Sequence, residues 1–450
     1  MKRLFLSLVL LLSAGPVAAA EPATLRIGLD TALAAAQRNS ATLQAFAADR
    51  LAAERRAASR QSPLWPRLTL DASYRYISEI PALTVAGRTQ PLGASDNYSL
   101  GPTLNWTLWD QGSLREAWRS AQAVSRARDA DQKATGLQIR LKLRLAYAQA
   151  QLALEAVRSL GDSLRLAQSQ HADIRKRLRA GAASRTDQLS AHQDVLGRRR
   201  QYRQARADLA GALRELFALT GEEPAADLSL PLDASAAAGL PADVEPPSVI
   251  VALDAPEDSM RSLAAAEQRP QDLDPPALRA WTALADSSRR AARSARAGLW
   301  PSLQLSARTS ADYPNGPILQ TINQNTVGLF ASLPLFEDGR TRRQAAELEA
   351  QATAGDWRRE AARRDLARDW LQAKDQLAGL KVQREINRQA AAEARELSRL
   401  TYESYQAGRA TYLEVQSANL RELEARVQCA RTDTQLVMQL SVLASLSEKE

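Results

Sequence analysis

Long stretches of the chain place apolar residues at a helical spacing. Residues 103–223 and 335–450 contain no proline and little glycine. Within the first stretch, apolar residues recur on average every 3.75 residues, which is close to one turn of an α-helix. These positions are Leu137, Leu141, Leu145, Ala148, Leu152, Ala156, Leu160, Leu164 and Ala167. Because a proline inside a helix costs about 3 kcal/mol or more, its absence supports the prediction of long helices in both stretches.

Four shorter segments alternate apolar and polar residues with a period of two, which is typical of strands with two different faces. The apolar positions are Leu68, Leu70, Ala72, Tyr74 and Tyr76; Tyr98, Leu100, Leu104, Trp106 and Leu108; Leu303, Leu305 and Ala307; and Val327, Leu329, Ala331, Leu333 and Leu335. Polar loops containing glycine or proline join the members of each pair, at 81–97 and 313–325. Strands of this kind occur with lipid on one face and water on the other, and also in soluble sandwiches.

Three short motifs occur twice along the chain. The paired motifs are Leu-Trp-Pro-x-Leu at 64–68 and 299–303, Leu-Trp-Asp-Gln-Gly at 108–112 with Leu-Phe-Glu-Asp-Gly at 335–339, and Ala-Gly at 180–181 and 407–408. The last two pairs keep one offset of 227 residues, so both halves place the same number of residues between their glycines. A spacing conserved over such a length indicates an internal duplication.

The duplication and the proline distribution together predict the domain boundaries. We expect a secretory signal peptide at 1–20, because a basic start and an apolar run precede the small residues at 17–20. The expected first repeat covers 21–220, with a helix, a β-hairpin at about 66–109 and a long helical hairpin at 112–220. A proline-rich connector follows at 221–276. The expected second repeat covers 277–450, with a helix, a β-hairpin at about 301–336 and a helical hairpin at 339–447.

Composition excludes several classes of function. A net charge of +8 with interleaved acids and bases is too small for a nucleic-acid-binding arm, and a mean hydropathy of −0.35 excludes a protein with many membrane-spanning helices. The single cysteine, Cys429, excludes internal disulfides and zinc ribbons. The chain contains no P-loop, GxSxG or HExxH motif, so we predict neither an enzyme nor a bound cofactor. Its two histidines, His171 and His192, are either ordinary helix residues or a metal-binding pair.

Four strands are too few to close a membrane barrel, since the smallest have about eight. An open sheet edge in lipid would leave backbone N–H and C=O groups without partners. If the strands enter a membrane, several copies must therefore share one barrel. Side chains would fill the lumen of a barrel made by two copies, whereas a barrel made by three copies would be open. The candidate lipid-facing and aromatic-belt residues are Leu70, Tyr74, Tyr76, Tyr98, Trp106 and Leu305. Helices of about 69 residues would be about 100 Å long, which is on the scale of the gap between two bacterial membranes.

The two Ala-Gly motifs predict tight turns at the ends of the long helices, where glycine can take the left-handed conformation. Each turn is followed by a capping-box pattern, Ser184-x-x-Asp187 and Thr411-x-x-Glu414. The two carboxylates either satisfy helix N–H groups, or form a charged ring at a channel entrance, or do both. The remaining candidate tip residues are Gly181, Gly408, Arg177, Arg179 and Arg409. The patterns Ser113-x-x-Glu116 and Thr341-x-x-Gln344 predict similar caps at the other ends of the long helices.

In combination, these motifs resemble the TolC-type outer-membrane efflux proteins over about residues 25 to 446. The resemblance implies a mainly α fold with a small β part, in which helical hairpins of a homotrimer form an α-barrel in the periplasm. It further implies that four strands per chain enter a shared 12-stranded barrel in the outer membrane of a Gram-negative bacterium. Residues 221–276 would contribute to a mixed equatorial belt. The second acidic residue common at the second turn of that family is replaced here by Ser417.

The resemblance also implies partners and a function. A channel of this type is a passive conduit for efflux or type I secretion. Its turns dock onto a periplasmic adaptor and an inner-membrane transporter of the RND, ABC or MFS type. The alternative is a soluble periplasmic coiled-coil adaptor or scaffold, which would have one helical hairpin within compact β domains. Two predicted hairpins and amphipathic strands favour the channel.

Overall fold

The computed structural model describes residues 23–85, 87–224, 227–229, 231–233 and 246–448. The expected signal peptide at 1–20 and part of the expected connector lie outside these residues. In chain order the elements are β1 (Ala23–Ile27), α1 (Leu29–Asn39), α2 (Ala41–Gln61), a 3-10 turn (Ser62–Leu64), β2 (Arg67–Tyr76), β3 (Ala82–Val85), β4 (Arg88–Pro91), β5 (Asp96–Trp109), α3 (Ser113–Arg179), α4 (Arg185–Thr220), β6 (Pro231–Asp233), β7 (Val249–Leu253), α5 (Pro256–Leu263), α6 (Ala265–Gln268), α7 (Pro276–Ala297), β8 (Ser302–Tyr313), β9 (Ile322–Ser332), α8 (Arg340–Gln406) and α9 (Tyr412–Ser447). The described chain is mainly helical with a smaller sheet portion.

The two longest helices, α3 and α8, contain 67 residues each and occupy proline-free sequence. Each begins directly after a glycine with a positive φ angle, Gly112 at +82° and Gly339 at +71°. None of the helices within the described residues has an apolar stretch long enough to cross a lipid bilayer.

The predicted caps at the starts of α3 and α8 are wrong. The Asp110 carboxylate, and not the Ser113 hydroxyl, accepts hydrogen bonds from the N–H groups of Gly112 and Leu114, at 2.9 and 2.7 Å. The Ser113 hydroxyl donates to the Ser294 carbonyl at 3.0 Å. Likewise, the Thr341 hydroxyl bonds to a carboxylate of the preceding loop. Asp110 replaces Ser113 as the capping residue of α3 because the positive φ angles just before the helix place the Asp110 carboxylate over the exposed N–H groups.

Contacts divide the chain into two compact units. Of the described residues, the first unit contains 23–34, those within 143–262, and 380–438. Its small parallel sheet has the order β1–β7–β6. The sheet packs on α3 and α4 through a core that includes Leu154, Val157, Leu164, Tyr202, Leu209, Leu213, Leu232, Val249 and Val251.

A hydrogen-bond network around Tyr147 fixes the start of α1 within the first unit. The Tyr147 hydroxyl donates to the Asp254 carboxylate at 3.0 Å, and the same carboxylate accepts from the Leu29 N–H at 2.9 Å. Gln151 donates to the Asp254 carbonyl at 2.7 Å. Burial raises the pKa of Tyr147, so the hydroxyl keeps its proton at neutral pH.

The buried face of α3 is wider than the predicted apolar stripe. In the first unit, Leu143, Tyr147 and Leu154 are buried, whereas the predicted Leu145 and Leu152 are only half-buried. Helix α3 contacts α4 through the core and α9 through a hydrogen bond from Asn419 to Gln170 of 3.0 Å. A helix with neighbours on two sides buries more than one stripe, which a single-period pattern does not reveal.

The second unit contains residues 35–142, 263–379 and the chain from 439 onward. Its antiparallel sheet has the order β2–β5–β8–β9, so the hairpin of each repeat is joined to the other through β5 and β8. Strands β3 and β4 form a separate two-stranded hairpin within the segment predicted as a polar loop.

Candidate functional site

Strand register in the second unit brings the alternating apolar residues onto one sheet face. Residues opposite one another in neighbouring strands share a face of a sheet. Three such rows are Leu68, Leu104, Ala307 and Val327; Trp106, Leu305 and Leu329; and Tyr74, Tyr98 and Tyr313. The sequence predicted all of these residues except Tyr313, which was expected at the start of a loop, and the register shows that they lie side by side.

Large apolar side chains on this face lie open to the surroundings of the single chain. Leu70 is 72% exposed and Val327 is 75% exposed. The predicted belt residues Tyr74, Tyr76 and Tyr98 are also more than half exposed, whereas Trp106 is 37% exposed and Leu305 is half-buried. Isolated apolar residues are common on soluble proteins, but several apolar rows side by side mark a surface that meets nonpolar groups, although Asn323 and Asn325 of β9 lie on the same face.

The opposite face of the same sheet is mainly polar, although Ile322 and Phe330 of β9 lie on it. Thr69, Thr103, Arg308 and Thr326 form one row across the four strands. Two rows further along this face, the Ser99 hydroxyl donates to the Asp312 carboxylate at 2.5 Å and accepts from the Arg308 guanidinium at 2.6 Å. One face of the sheet is thus mainly apolar and the other mainly polar.

The two outer strands of this sheet, β2 and β9, have a strand neighbour on one side only within the described part of the chain. Strand β2 pairs with β5 from Arg67 to Tyr76, and β9 pairs with β8 from Ile322 to Ser332. Each edge therefore presents a row of backbone groups that can pair with another strand.

The first unit contains the two predicted turns, and they have the same geometry. Gly181 has a φ angle of +73° and Gly408 one of +72°. After α3, the Ala182 N–H donates to the Arg177 carbonyl at 2.8 Å, and after α8 the Arg409 N–H donates to the Ser404 carbonyl at 2.9 Å. Both are Schellman motifs, in which a left-handed residue lets the chain close the last helical turn.

Both predicted capping boxes are present after these turns. The Ser184 hydroxyl accepts from the Asp187 N–H at 3.0 Å, and the Asp187 carboxylate accepts from the Ser184 N–H at 3.3 Å. The corresponding distances for Thr411 and Glu414 are 3.3 and 2.7 Å. Asp187 and Glu414 therefore have a structural role at the helix starts, in addition to any role that they have at an entrance.

Side chains bridge the two turns. The Arg177 guanidinium donates to the Gln406 carbonyl at 3.1 Å and lies 5.8 Å from the centre of the Tyr405 ring. The Tyr402 hydroxyl donates to the Asp173 carboxylate at 3.0 Å, and Arg177 lies 3.5 Å from the same carboxylate. Burial raises the pKa of Tyr402, and the hydrogen bond to Asp173 raises it further. These bonds fasten the end of α3 to the end of α8.

An apolar cluster lies beside these bonds. It consists of Ile174, Ala191, Tyr405, Tyr412 and Val415. Burial raises the pKa of Tyr412 strongly, so its hydroxyl stays neutral. Of the predicted tip residues, Arg177 joins the bridge, whereas Arg179 and Arg409 are exposed.

Sequence reasoning missed Asp173, Tyr402, Tyr405 and Tyr412. A usable signal was present, because three of the nine tyrosines lie within eleven residues around the second turn. Tyrosines combine a large apolar ring with a hydroxyl, which suits a contact that is partly buried and partly wet.

The described residues include no group of three or more His, Cys, Asp and Glu side chains placed to hold a metal ion. Cys429 is half-buried, and its thiol donates to the Asn387 carbonyl at 3.0 Å. Burial, with Asp433 nearby, raises the pKa of this thiol and so favours its protonated form.

Solved structures share this fold. CusC has a TM-score of 0.75 at 17% identity, covering 94% of this chain and 92% of its own. The outer membrane protein VceC of Vibrio cholerae has a TM-score of 0.72 at 18% identity, covering 93% and 96%. The MtrE outer membrane channel of Neisseria gonorrhoeae has a TM-score of 0.72 at 18% identity, covering 93% and 88%. A comparison with curated protein sequences finds no significant match.

The family comparison extends over most of the sequence. The outer membrane efflux protein family matches residues 32–222 and 273–447, which include both helical hairpins and both strand pairs. The helical hairpins, the four-stranded sheet and the two turns thus all lie within the matched residues. The chain belongs to the outer membrane efflux protein family.

Proposed function

We propose that three copies of this chain form a passive channel that conducts substrates from the periplasm through the outer membrane of a Gram-negative bacterium. Four strands from each copy close one 12-stranded barrel, and the helical hairpins of the three copies line a periplasmic tunnel. The function is transport without chemistry, so the channel has no catalytic residues and no cofactor. An inner-membrane transporter of the RND, ABC or MFS type drives the substrate.

The observation that carries this proposal is the four-stranded sheet with one apolar and one polar face and two open edges. In lipid, unpaired backbone groups at an edge cost several kcal/mol each, so the edges must pair. Pairing β2 of one copy with β9 of the next satisfies both edges and continues both faces around a ring. Three copies leave a water-filled lumen, whereas a barrel of about eight strands is filled by side chains.

Exposed apolar residues on α8 support contact between copies. Trp357, Leu371, Val382 and Ile386 are each more than half exposed, although they lie in a helix that is otherwise rich in charge. In a trimer, a neighbouring hairpin covers such residues and removes their surface from water.

Cross-linking of the sheet edges tests the proposal. In a Cys429→Ser background, one cysteine replaces Ser73 in β2 and a second replaces Ile322, Gln324 or Thr326 in turn in β9. We expect oxidation of at least one pairing to give linked dimers and trimers on a denaturing gel, and no larger species. Ser99→Cys with Asp312→Cys is the positive control, because these residues are partners in neighbouring strands of one chain.

Failure of every edge pairing to link copies, while the control pair forms, would contradict a shared barrel. A ladder extending beyond three copies would contradict the trimer. Conductance of the purified protein in a planar lipid bilayer tests the conduit itself, because a soluble adaptor or scaffold does not conduct ions.

The turns at the ends of the hairpins are the proposed docking surface for a periplasmic adaptor. Gly181, Ser184, Gly408, Thr411, Arg179 and Arg409 are exposed there. The arginines offer charged donors to an acidic partner surface. Asp187 and Glu414, present once per copy, would place six carboxylates around the entrance of a trimer and favour the passage of cations over anions.

A further inference from the structure

The only two histidines of the chain lie together between α3 and α4. His171 is on α3, ten residues before Gly181, and His192 is on α4, eleven residues after it. Their ring centres are 5.2 Å apart, and the ring planes are inclined by 34°. His192 is exposed and His171 is half-buried, so ions from solution can reach the pair.

The His171 ring has a polar neighbour on α4. The Gln188 amide nitrogen lies 3.4 Å from His171 Nε2, and because an amide N–H only donates, this contact suits the tautomer with a lone pair on Nε2. Neutral imidazole is the form that binds metal ions.

We propose that His171 and His192 together bind one divalent transition-metal ion, of the Zn²⁺, Ni²⁺ or Cu²⁺ class, and that the ion clamps α3 to α4. Two imidazoles on one tetrahedral ion, with metal–nitrogen bonds of about 2.0 Å, have ring centres about 5 Å apart. The observed separation of 5.2 Å is close to this requirement, so the spacing of the two rings suits one shared ion. Imidazole nitrogen is a preferred ligand of these three ions.

The surroundings define the rest of the site. Gln188 lies one helical turn before His192 on α4, and its amide must release His171 Nε2 when an ion binds. Because no third His, Cys, Asp or Glu joins the pair among the described residues, water completes the coordination. Arg175 opposes a cation electrostatically, so we expect a weaker site than a structural zinc site with four protein ligands.

The test is metal titration of the purified full-length trimer in detergent, prepared without a polyhistidine tag. Titration calorimetry with Zn²⁺, and separately with Ni²⁺ and Cu²⁺, should give one ion per chain for at least one of the three. His171→Gln and His192→Gln should each weaken this binding at least tenfold, because each removes one arm of a chelate. Gln193→Ala, next to His192 on the exposed surface, is the matched control and should leave binding unchanged.

A spectroscopic readout separates loss of binding from loss of folding. With imidazole-labelled histidine, the chain gives signals from two rings only, and both should shift together at one equivalent of Zn²⁺. Binding that is equal in the wild type and in both histidine variants overturns the proposal, as does a shift of one ring alone. Absence of binding by all three ions in a folded trimer also overturns it, and leaves the proposed channel function untouched.

Discussion

Single glycines control where the long helices end. Gly181 needs a positive φ angle of +73°, which costs an L-residue about 1–2 kcal/mol. Gly197 lies within α4 in helical conformation, and a Cβ built there meets nothing within 4 Å. Replacement of glycine by alanine should therefore have opposite effects on stability at Gly181 and Gly197, although both lie in the same hairpin.

We predict that Gly181→Ala destabilises the first turn by about 1 kcal/mol, whereas Gly197→Ala stabilises α4 by about 0.5–1 kcal/mol. Hydrogen exchange measured by mass spectrometry over residues 176–200 reports both changes. Equal effects of the two substitutions would show that the turn does not require the left-handed conformation.

The Tyr402 hydroxyl is a second feature at the residue scale. It donates to the Asp173 carboxylate at 3.0 Å, and bonds to charged groups typically contribute about 1.5–3 kcal/mol. The site is partly exposed, so we predict a loss near the lower end of this range for Tyr402→Phe, seen as faster hydrogen exchange at residues 398–412. Tyr76→Phe, which removes an exposed hydroxyl in β2, is the control. Unchanged exchange in Tyr402→Phe would mean that Arg177 alone holds the turns together.

At the scale of elements, alternation along a strand assigns each residue to a face. We predict that Leu70→Arg impairs membrane insertion, by about 2–4 kcal/mol if the residue lies at the bilayer midplane. Thr69→Arg, one residue away on the polar face, should insert almost normally. Recovery of each variant in the membrane fraction is the measurement, and similar recovery of the two variants would refute the assigned faces.

The α3–α4 hairpin should lose stability in acid. The pKa of His171 is lowered in the folded chain by burial and by His192 and Arg175, so folding favours the neutral ring. The contribution of His171 to the free energy of unfolding is therefore complete above its pKa in the unfolded chain, which is about 6.5. This contribution is lost as the pH falls through the lower pKa of the folded chain. Exchange over residues 165–195 should be faster at pH 5 than at pH 7.5, after correction for intrinsic rates. His171→Gln should reduce this difference, and an unaltered difference would place its origin elsewhere.

Elements were predictable from sequence to different degrees. Strict alternation from Leu68 to Tyr76 marks a strand and its faces, because the side-chain period of two is a property of the backbone. Nothing local specifies that β5 pairs with β8, since that pairing joins residues about two hundred positions apart. The cap at Asp110 was likewise missed, because it depends on the positive φ angles of the two residues before α3.

For the whole molecule, the sheet with two open edges predicts how the protein behaves during isolation. We expect the processed chain to stay with the membrane fraction and to require detergent for extraction, because its apolar face and its edges need lipid and neighbouring copies. Osmotic shock of whole cells is the measurement that separates this outcome from a soluble periplasmic adaptor. Release of most of the chain as a detergent-free monomer would contradict the channel.

The sequence by itself determined the duplication, the helical hairpins, the amphipathic strands and the two glycine turns. Each of these depends on local rules, namely backbone period, proline exclusion and the left-handed preference of glycine. Only the tertiary structure decided that Arg177 and Asp173 meet Tyr402 and Gln406, that the strands have the order β2–β5–β8–β9, and that the two histidines face each other. The physical reason is that such contacts join residues far apart in the chain, where the direction and rotation of whole helices and strands, and not any local pattern, set the distance.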